Sequence, residues 1–406
     1  MNATSPTTTQ DIDALAARAA RSVELAPTRA VTRLASIDVL RGIVIVIMAL
    51  DHVRAYFTDV RFDPLDPAQS NLLLYFTRWI TNYCAPVFVF LAGTSAYLIR
   101  KRNTAAQTAQ FLATRGLWLI VLEMTLITMS WTFNLDYTNG PILQVIWAIG
   151  VSMLFLAAMV RLRWYEVGAI GIAICVLHNL FESVPMPQSD GWSMVWSLLY
   201  VKGPTPIAFV YYPLIPWIGV MAMGYALGVV FDLDAARRRR TLVWLGTGAI
   251  VAFLVLRLLN GYGDPDPWSV QGDAARTLMS FLDVEKYPPS LMYILVTLGP
   301  ALLLLAAFEN VRGPATRRFA VFGRVPLCFY VLHLPVIHLA AGLTALAAGY
   351  GTHVLTRSFM DFPATWGLGL GWVYAIWAMV VLALYPICKA FADIKRRRRD
   401  WWLSYL

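Results

Sequence analysis

Ten apolar stretches dominate the sequence, and each is long enough to cross a lipid bilayer as a helix. A hydrocarbon core ~30 Å thick requires about 20 mostly apolar helical residues. In chain order the stretches are Ser36 to Phe57, Leu73 to Ile99, Arg115 to Trp131, Ile142 to Val160, Trp164 to Phe181, Ile207 to Phe231, Thr241 to Leu259, Leu291 to Phe308, Phe319 to Ala348 and Trp366 to Phe391. The ninth is long enough to tilt or break. The pattern predicts an all-α fold, a polytopic membrane helix bundle with about 10 transmembrane helices.

The composition excludes a soluble globule. Hydrophobic residues make up 58% of the 406 residues and charged residues only 14%, whereas soluble chains carry roughly 25% charged residues. The chain therefore has too little polar surface to cover a water-soluble protein of this size. Its net charge of +9 raises the question of nucleic-acid binding until the charges are placed along the chain.

The positive charges alternate with the predicted spans. With the N-terminus in the cytoplasm, the cytoplasmic segments and the adjoining ends of the spans carry 24 of the 33 Lys and Arg residues, the outer loops carry five, and the remaining four, Arg41, Arg54, Arg78 and Arg257, fall within spans. Positive residues in short loops mark the cytoplasmic side. The charge therefore reports topology, with both termini cytoplasmic in the inner (plasma) membrane, and excludes a nucleic-acid partner.

Three regions follow from these boundaries. We expect a mobile cytoplasmic tail over residues 1–35, a membrane domain over 36–391, and a basic cytoplasmic tail over 392–406. The four cysteines lie inside apolar stretches with neither a CxxC pair nor a zinc-ligand spacing, namely Cys84, Cys175, Cys328 and Cys388. This predicts neither a disulfide framework nor a metal site.

Charged residues concentrate in the first span, SIDVLRGIVIVIMALDHVRAYF. An ionisable group in hydrocarbon is costly unless it faces a protein interior or a wet cavity, so each one is a candidate for function. At 100° per residue, the eleven residues from Arg41 to His52 leave a net rotation of about 20°, so both side chains project from one face, about 16 Å apart along the axis. Asp38 shares that face and can pair with Arg41 at i, i+3.

Asp51 lies about 100° around the helix from His52. It can orient the imidazole only if the end of the helix distorts, and a pair with Arg54 at i, i+3 is favoured instead. For Asp38 or Arg54 alone, the alternative is a headgroup-level residue that snorkels. A histidine about 15 residues into a span fits that alternative less well, because it can act as a base near neutral pH.

The first span resembles the opening helix of the bacterial relatives of heparan-alpha-glucosaminide N-acetyltransferase, within the transmembrane acyltransferase superfamily. Its Arg, ten residues, then His also resembles the signature of the acyltransferase-three branch. Four later strings are similar to later helices of the family, in the same order: APVFVFLAGTSAYL (Ala85 to Leu98), GPILQVIWAIG (Gly140 to Gly150), YPLIPWIGVMAMGYALG (Tyr212 to Gly228) and GRVPLCFYVLHLPVIH (Gly323 to His338).

The resemblance implies an enzyme that takes an acyl group, most simply acetyl, from cytoplasmic acyl-CoA and delivers it to an outer glycan or other envelope acceptor. It makes His52 the histidine of the signature, Arg41 its partner near the cytoplasmic end, and Gln144 and His333 further site residues. The lysosomal transferase carries its catalytic histidine in the loop after the first span, but no histidine lies between Asp59 and Asn82 here. The departure moves the predicted catalytic role to His52.

Chemically, the pantetheine arm of acyl-CoA would thread a helix-lined tunnel towards a histidine near the outer side. Arg41 would anchor the donor by charge-assisted hydrogen bonds. His52 would accept the proton of the attacking hydroxyl or amine as general base. Acyl-CoA is then a co-substrate and no cofactor is permanently bound. The sequence leaves the acceptor and a possible homo-oligomer open.

Other polar residues carry weaker predictions. Glu123, near the centre of the third span, is either neutral, paired with Arg78 or part of the tunnel. His338 is expected to be packed or interfacial, and His178 and His353 to be solvated at the outer ends of spans. Gln144 and Asn134 either bind substrate or bridge helices.

Two outer segments, Glu182 to Pro206 and Asn260 to Ser290, carry aromatic residues among polar ones. They are expected to lie at the headgroup level or to form a lid or acceptor platform. The rival function is a transporter or flippase, because ten spans, intramembrane charges and a sixth span interrupted by Pro213, Pro216 and Gly219 are compatible with alternating access. A non-catalytic scaffold that retains the fold is a third possibility.

Overall fold

A computed structural model describes residues 35–134, 137, 140–311, 313–398 and 400–405 of the chain. The predicted N-terminal tail lies outside the described residues except for Ala35.

The described chain is almost entirely helical. The α-helices are α1 Ala35–Phe57, α2 Leu72–Trp79, α3 Cys84–Arg100, α4 Ala105–Leu122, α5 Thr128–Thr132, α6 Val145–Met159, α7 Trp164–Leu177, α8 Asp190–Leu199, α9 Leu214–Leu227, α10 Ala235–Leu259, α11 Ala274–Leu282, α12 Leu291–Phe308, α13 Pro314–Arg324, α14 Pro326–Ala347 and α15 Leu370–Arg397. A 3-10 turn, Ile80–Tyr83, joins α2 to α3, and a π-helical turn, Glu123–Ile127, joins α4 to α5.

Eight helical segments of the described chain are long and apolar enough to cross a membrane. They are Leu72–Arg100, Ala105–Thr132, Trp164–Ser183, Leu214–Asp232, Ala235–Leu259, Leu291–Phe308, Pro326–Ala347 and Leu370–Arg397. The other two predicted spans are also helices: α1 has 23 residues but carries four charged residues in its length, and α6 is apolar but has only 15 residues. The predicted all-α polytopic bundle is confirmed, and the orientation stays a prediction.

The ninth predicted span is broken into two helices, α13 and α14. The break falls at Val325, whose backbone (φ −132°, ψ 50°) is not helical. Pro326 follows it, and proline disfavours the helical conformation of the residue before it. The break ends α13 beside α1 and lets α14 begin in a new direction.

Two predicted spans begin later than the apolar pattern indicates. Ile142–Leu143 (β1) and Phe209–Val210 (β3) form a small sheet with Gly203–Pro204 (β2), in the order β1-β3-β2. β1 pairs parallel to β3 with Ile142 opposite Phe209, and β2 pairs antiparallel to β3. The sheet ties the chain before α6 to the loop before α9, and so fixes the entry to both helices.

Helices α1 and α13 touch backbone to backbone at a pair of glycines. A Cβ atom on Gly42 would lie 1.8 Å from the carbonyl oxygen of Phe319, and one on Gly323 would lie 1.8 Å from that of Asp38. Small residues at a helix interface permit such an approach. The contact sets α1 against the α13–α14 segment that carries His333.

Candidate active site

A cavity of about 770 Å³ opens at the end of the bundle where the predicted outer loops meet. It is lined by residues of α1, by the loop after α1, and by the segments around Lys202, Lys286 and Phe359. A smaller lobe of about 40 Å³ shares Asp51, His52, Gln144, Tyr212 and Lys286 with it and continues towards Met48 and Phe88. The cavity thus reaches from the loop side into the helical core beside His52.

His52 lines this cavity and contacts His333, which lies behind it and lines neither lobe. The Nδ1 atom of His52 lies 2.7 Å from Nε2 of His333. The Nδ1 atom of His333 lies 2.6 Å from the carbonyl oxygen of Tyr330 and 3.1 Å from that of Phe329. His333 is fully buried. The pair joins α1 to α14 across 281 residues of sequence.

These contacts determine the tautomers of both rings. A carbonyl oxygen only accepts hydrogen bonds, so Nδ1 of His333 carries a proton and donates it. In the neutral ring Nε2 of His333 is then an acceptor, and Nδ1–H of His52 donates to it. Nε2 of a neutral His52 keeps its lone pair, and among the described residues it has no hydrogen-bond partner. The arrangement leaves a base on the cavity side of the pair.

The His52 ring is held in place by its neighbours. Trp131 meets it edge to face, with ring centroids 5.0 Å apart at 77°. The His333 ring lies edge to edge with it and nearly parallel, with centroids 4.9 Å apart at 21°, as the hydrogen bond between them requires. The Tyr56 hydroxyl donates to the carbonyl oxygen of Trp131 at 2.6 Å. The imidazole is therefore fixed by packing as well as by its hydrogen bond.

Asp51 contacts arginines rather than the imidazole. Its Oδ1 atom lies 3.0 Å from Nη2 of Arg54 and 3.8 Å from Nε of Arg78. The predicted i, i+3 pair with Arg54 is confirmed. Because α1 stays regular here, the carboxylate points away from Nδ1 of His52, and that nitrogen bonds His333 instead.

Arg41 does not line either lobe. It donates to Ser95 Oγ at 3.0 Å and to the carbonyl oxygen of Gly323 at 3.4 Å, and its guanidinium lies 3.9 Å from Asp38 Oδ1. The predicted Asp38–Arg41 pair is thus present. Arg41 and His52 lie on one helix, about 16 Å apart along its axis. Arg41 belongs to the other end of the bundle, beside α3 and α13.

Gln144 immediately precedes α6 and lines both lobes of the cavity. It stands at the N-cap position, but its side chain makes no capping hydrogen bond. Glu123 takes over this role, because its Oε2 atom accepts the backbone N–H of Trp147 at 2.9 Å. A carboxylate is favoured at the N-terminus of a helix. The Gln144 side chain is thereby left to face the cavity.

The proposed pairing of Glu123 with Arg78 is wrong. Arg78 donates to Thr81 Oγ1 at 2.8 Å and to Asn82 Oδ1 at 3.1 Å and lies beside Asp51. Glu123 is fully buried within the π-helical turn. The turn directs its carboxylate to the N-terminal end of α6, and among the described residues no ion pair joins it to Arg78.

The three remaining histidines differ in how deeply they are buried. His338 is packed as predicted, with Nδ1 3.1 Å from the carbonyl oxygen of Ser130 and its ring stacked on Phe133 at 4.1 Å. His353 is exposed, as expected. The prediction for His178 is wrong: only 1% of the residue is exposed, because the chain turns there and packs its ring beside Tyr200.

The outer segments supply walls of the cavity through residues that the sequence did not single out. Lys286 and Tyr287 line the larger lobe. The aromatic residues on which the headgroup-level or platform prediction for these segments rests do not line it, namely Trp192, Trp196, Tyr200, Trp268 and Phe281. In the sequence, Lys286 is one of the five positively charged residues of the outer loops. The string Lys-Tyr-Pro-Pro immediately before a span was the signal available, since it places a cation on a stiff turn at the membrane boundary.

A buried arginine holds this outer segment in place. Arg257, predicted within a span, donates to the carbonyl oxygens of Phe281 (3.0 Å), Ser280 (3.1 Å), Asp283 (2.5 Å) and Asp266 (2.9 Å). Its Nη1 atom lies 3.7 Å from Asp264 Oδ1.

Burial raises the pKa of Asp283, a cavity residue, to about 7.

A family profile described as heparan-alpha-glucosaminide N-acetyltransferase, catalytic, matches residues 33–257, more than half of the chain. The match runs from the start of α1 almost to the end of α10 and includes His52 and Gln144, but stops before His333 and Lys286. No curated protein sequence matches the chain.

Proposed function

The chain belongs to the heparan-alpha-glucosaminide N-acetyltransferase family, and on that premise we propose that it transfers an acetyl group from acetyl-CoA to an acceptor amine or hydroxyl. The donor approaches from the cytoplasmic side, and the acceptor, a glycan or other envelope molecule, enters the cavity from the loop side. The observation that carries the proposal is the His52–His333 hydrogen bond, which leaves the Nε2 lone pair of His52 for the acceptor.

His52 acts as general base. The acceptor hydroxyl or amine attacks the thioester carbonyl carbon while Nε2 of His52 takes its proton. The tetrahedral intermediate collapses, the C–S bond breaks, and the CoA thiolate leaves and takes a proton from the His52 imidazolium. One acyl bond forms, one thioester bond breaks, and His52 returns to its starting tautomer.

We propose that His333, the Tyr330 carbonyl group and Asp51 position this base. His333 accepts from Nδ1 of His52 and so holds the required tautomer, while its own proton is held by the Tyr330 carbonyl oxygen. Asp51 offsets part of the positive charge of Arg54 and Arg78 beside the ring, and its own negative charge favours the imidazolium that forms. Since it makes no contact with the imidazole, Asp51 is a positioning residue.

In this proposal one residue near each end of the donor's route through the bundle binds acetyl-CoA. Arg41 anchors it near the cytoplasmic end through charge-assisted hydrogen bonds. Gln144 binds the acyl end, since its side chain faces both lobes. The smaller lobe extends from His52 to Met48, about one helical turn nearer to Arg41, which is the direction that a pantetheine arm has to take.

The test is transfer of a labelled acetyl group. The full chain in detergent, given radiolabelled acetyl-CoA and glucosamine as a probe acceptor, should release CoA and form labelled N-acetylglucosamine. A transporter or flippase has no use for a thioester and would leave acetyl-CoA intact. Mass spectrometry of envelope glycans and lipids, with and without the gene, then identifies the natural acceptor by its lost acetyl mass.

A further inference from the structure

Lys286 lies beside the proposed base without a role in the mechanism described above. It lines both lobes of the cavity, together with His52 and Gln144. Among the described residues, no carboxylate lies within ion-pair distance of its Nζ atom. Its partner is Tyr287: Nζ lies 5.1 Å from the centroid of the ring, and the ammonium group also interacts with the phenol oxygen.

The turn that carries Lys286 is fixed on both sides. Residues Lys286 and Pro289 form a β-bridge, and the backbone N–H of Ser290 donates to the carbonyl oxygen of Glu285 at 2.9 Å. Asp264 Oδ2 accepts the N–H of Glu285 at 3.0 Å and the hydroxyl of Ser290 at 2.6 Å. Groups that stabilise developing charge act best when they are held in position before the reaction.

Tyr287 reports the electrostatic field at this place. Burial alone would raise the pKa of its phenol, but the positive charges of Lys286 and Arg78, with a hydrogen bond from Lys286, lower it. Lys202 adds to this field, because its Nζ atom lies 4.7 Å from the ring centroids of both Tyr211 and Tyr287. These cations favour negative charge on an oxygen that lies directly beside them.

We propose that Lys286 is a catalytic residue that stabilises the oxyanion of the tetrahedral intermediate. When the acceptor attacks, the C=O π electrons of the thioester move to its oxygen, and the Lys286 ammonium group donates a hydrogen bond to that oxygen. When the C–S bond breaks, the electrons return and the carbonyl re-forms. Lys286 keeps its proton throughout, and His52 alone transfers one. This role rests on the proposed acetyl transfer.

The test compares Lys286→Met with Lys286→Arg, and uses Lys389→Met, an exposed lysine of α15, as the matched control. With acetyl-CoA and glucosamine, Lys286→Met should lower kcat about 100- to 1000-fold, as loss of one oxyanion donor does. The KM for acetyl-CoA should change less than about threefold, because the oxyanion exists only after binding. Lys286→Arg should keep more activity than Lys286→Met, and Lys389→Met should match the native protein.

A binding measurement distinguishes the loss of the oxyanion donor from poor folding of the variant. A trifluoromethyl ketone analogue of acetyl-CoA, whose hydrate resembles the tetrahedral intermediate, should bind the native protein more tightly than CoA does. Lys286→Met should lose most of that preference while binding CoA normally. Equal kcat in native protein and Lys286→Met, or an unchanged preference for the analogue, overturns the role. A native protein that transfers no acetyl group and binds no CoA removes the proposed function, and this role with it.

Discussion

The Nδ1 atom of His52 lies 2.7 Å from Nε2 of His333, and the far nitrogen of His333 is bonded to a backbone carbonyl oxygen. Because that carbonyl can only accept, the proton positions along the chain of contacts are set, and Nε2 of His52 keeps its lone pair. In the mechanism that we propose, two neutral histidines and a carbonyl perform the orienting task that a carboxylate performs in many hydrolases.

The orienting role of His333 predicts a graded loss of activity. His333→Ala should lower kcat by about 100-fold, since His52 then loses the acceptor that fixes its tautomer. His333→Gln offers an amide oxygen to Nδ1–H of His52 and should keep clearly more activity than His333→Ala. Initial rates with acetyl-CoA give kcat and KM, and KM should stay within about threefold.

The matched control is His353→Gln, at an exposed histidine, which should leave the rate unchanged. If His333→Gln and His333→Ala were equally impaired, His333 would be needed for packing rather than for its lone pair.

Asp283 predicts a pH dependence of stability. Its pKa is about 7 in the folded protein and near 3.8 when exposed. The folded state holds the proton where the unfolded state has lost it, so this contribution is complete below about pH 4 and is lost as the pH rises through 7. Asp283→Asn should therefore raise the melting temperature more at pH 8 than at pH 5. Thermal unfolding in detergent at both pH values measures this, and an equal shift at the two would contradict it.

Glu123 predicts a capping effect on α6. Glu123→Leu removes the acceptor of the Trp147 N–H and should reduce the free energy of unfolding by about 1–2 kcal/mol. Glu123→Gln keeps an acceptor oxygen and should lie closer to native. Since the cap leaves Gln144 to face the cavity, Glu123→Leu should also raise the KM for acetyl-CoA. Thermal unfolding and KM of both variants decide the question, and a fully stable Glu123→Leu protein would exclude the cap.

Gly42 predicts a strict limit on side-chain size between α1 and α13. In Gly42→Ala the new Cβ would lie 1.8 Å from the Phe319 carbonyl oxygen, so the helices would have to separate. We expect strongly reduced yields of folded protein in detergent, measured by size-exclusion chromatography. Gly248→Ala on α10 is the control, because nothing lies within 4 Å of its added Cβ. Equal amounts of folded protein for the two variants would show that α1 and α13 can separate at little cost.

The sequence predicted what lies within one helix and missed what joins different helices. Helical periodicity correctly placed Asp51 with Arg54 and Asp38 with Arg41, because those pairs depend only on i, i+3 spacing. The histidine contact depends on how α1 and α14 cross, which spacing cannot give. His333 entered the prediction only through the family resemblance.

The wrong predictions have the same origin. The sequence places Glu123 and Arg78 on neighbouring spans, but a π-helical turn rotates the carboxylate to the end of α6. His178 is buried because the chain turns at the end of α7. A pattern of apolar stretches does not predict such a turn. Lys286 lines the same lobe as His52 only through tertiary contacts of its segment, including those of Arg257 and Asp264, which no local pattern of the sequence gives.

The rate of acetyl transfer by His52→Gln is the most direct test of the central claim. In membranes where native and variant proteins are inserted in equal amounts, we predict that His52→Gln lowers kcat by about 10²- to 10⁴-fold, since the substituted amide cannot take the acceptor's proton. Binding of CoA should be preserved, because Arg41 and Gln144 are unchanged. Full transfer by correctly inserted His52→Gln would contradict the account and place the base elsewhere.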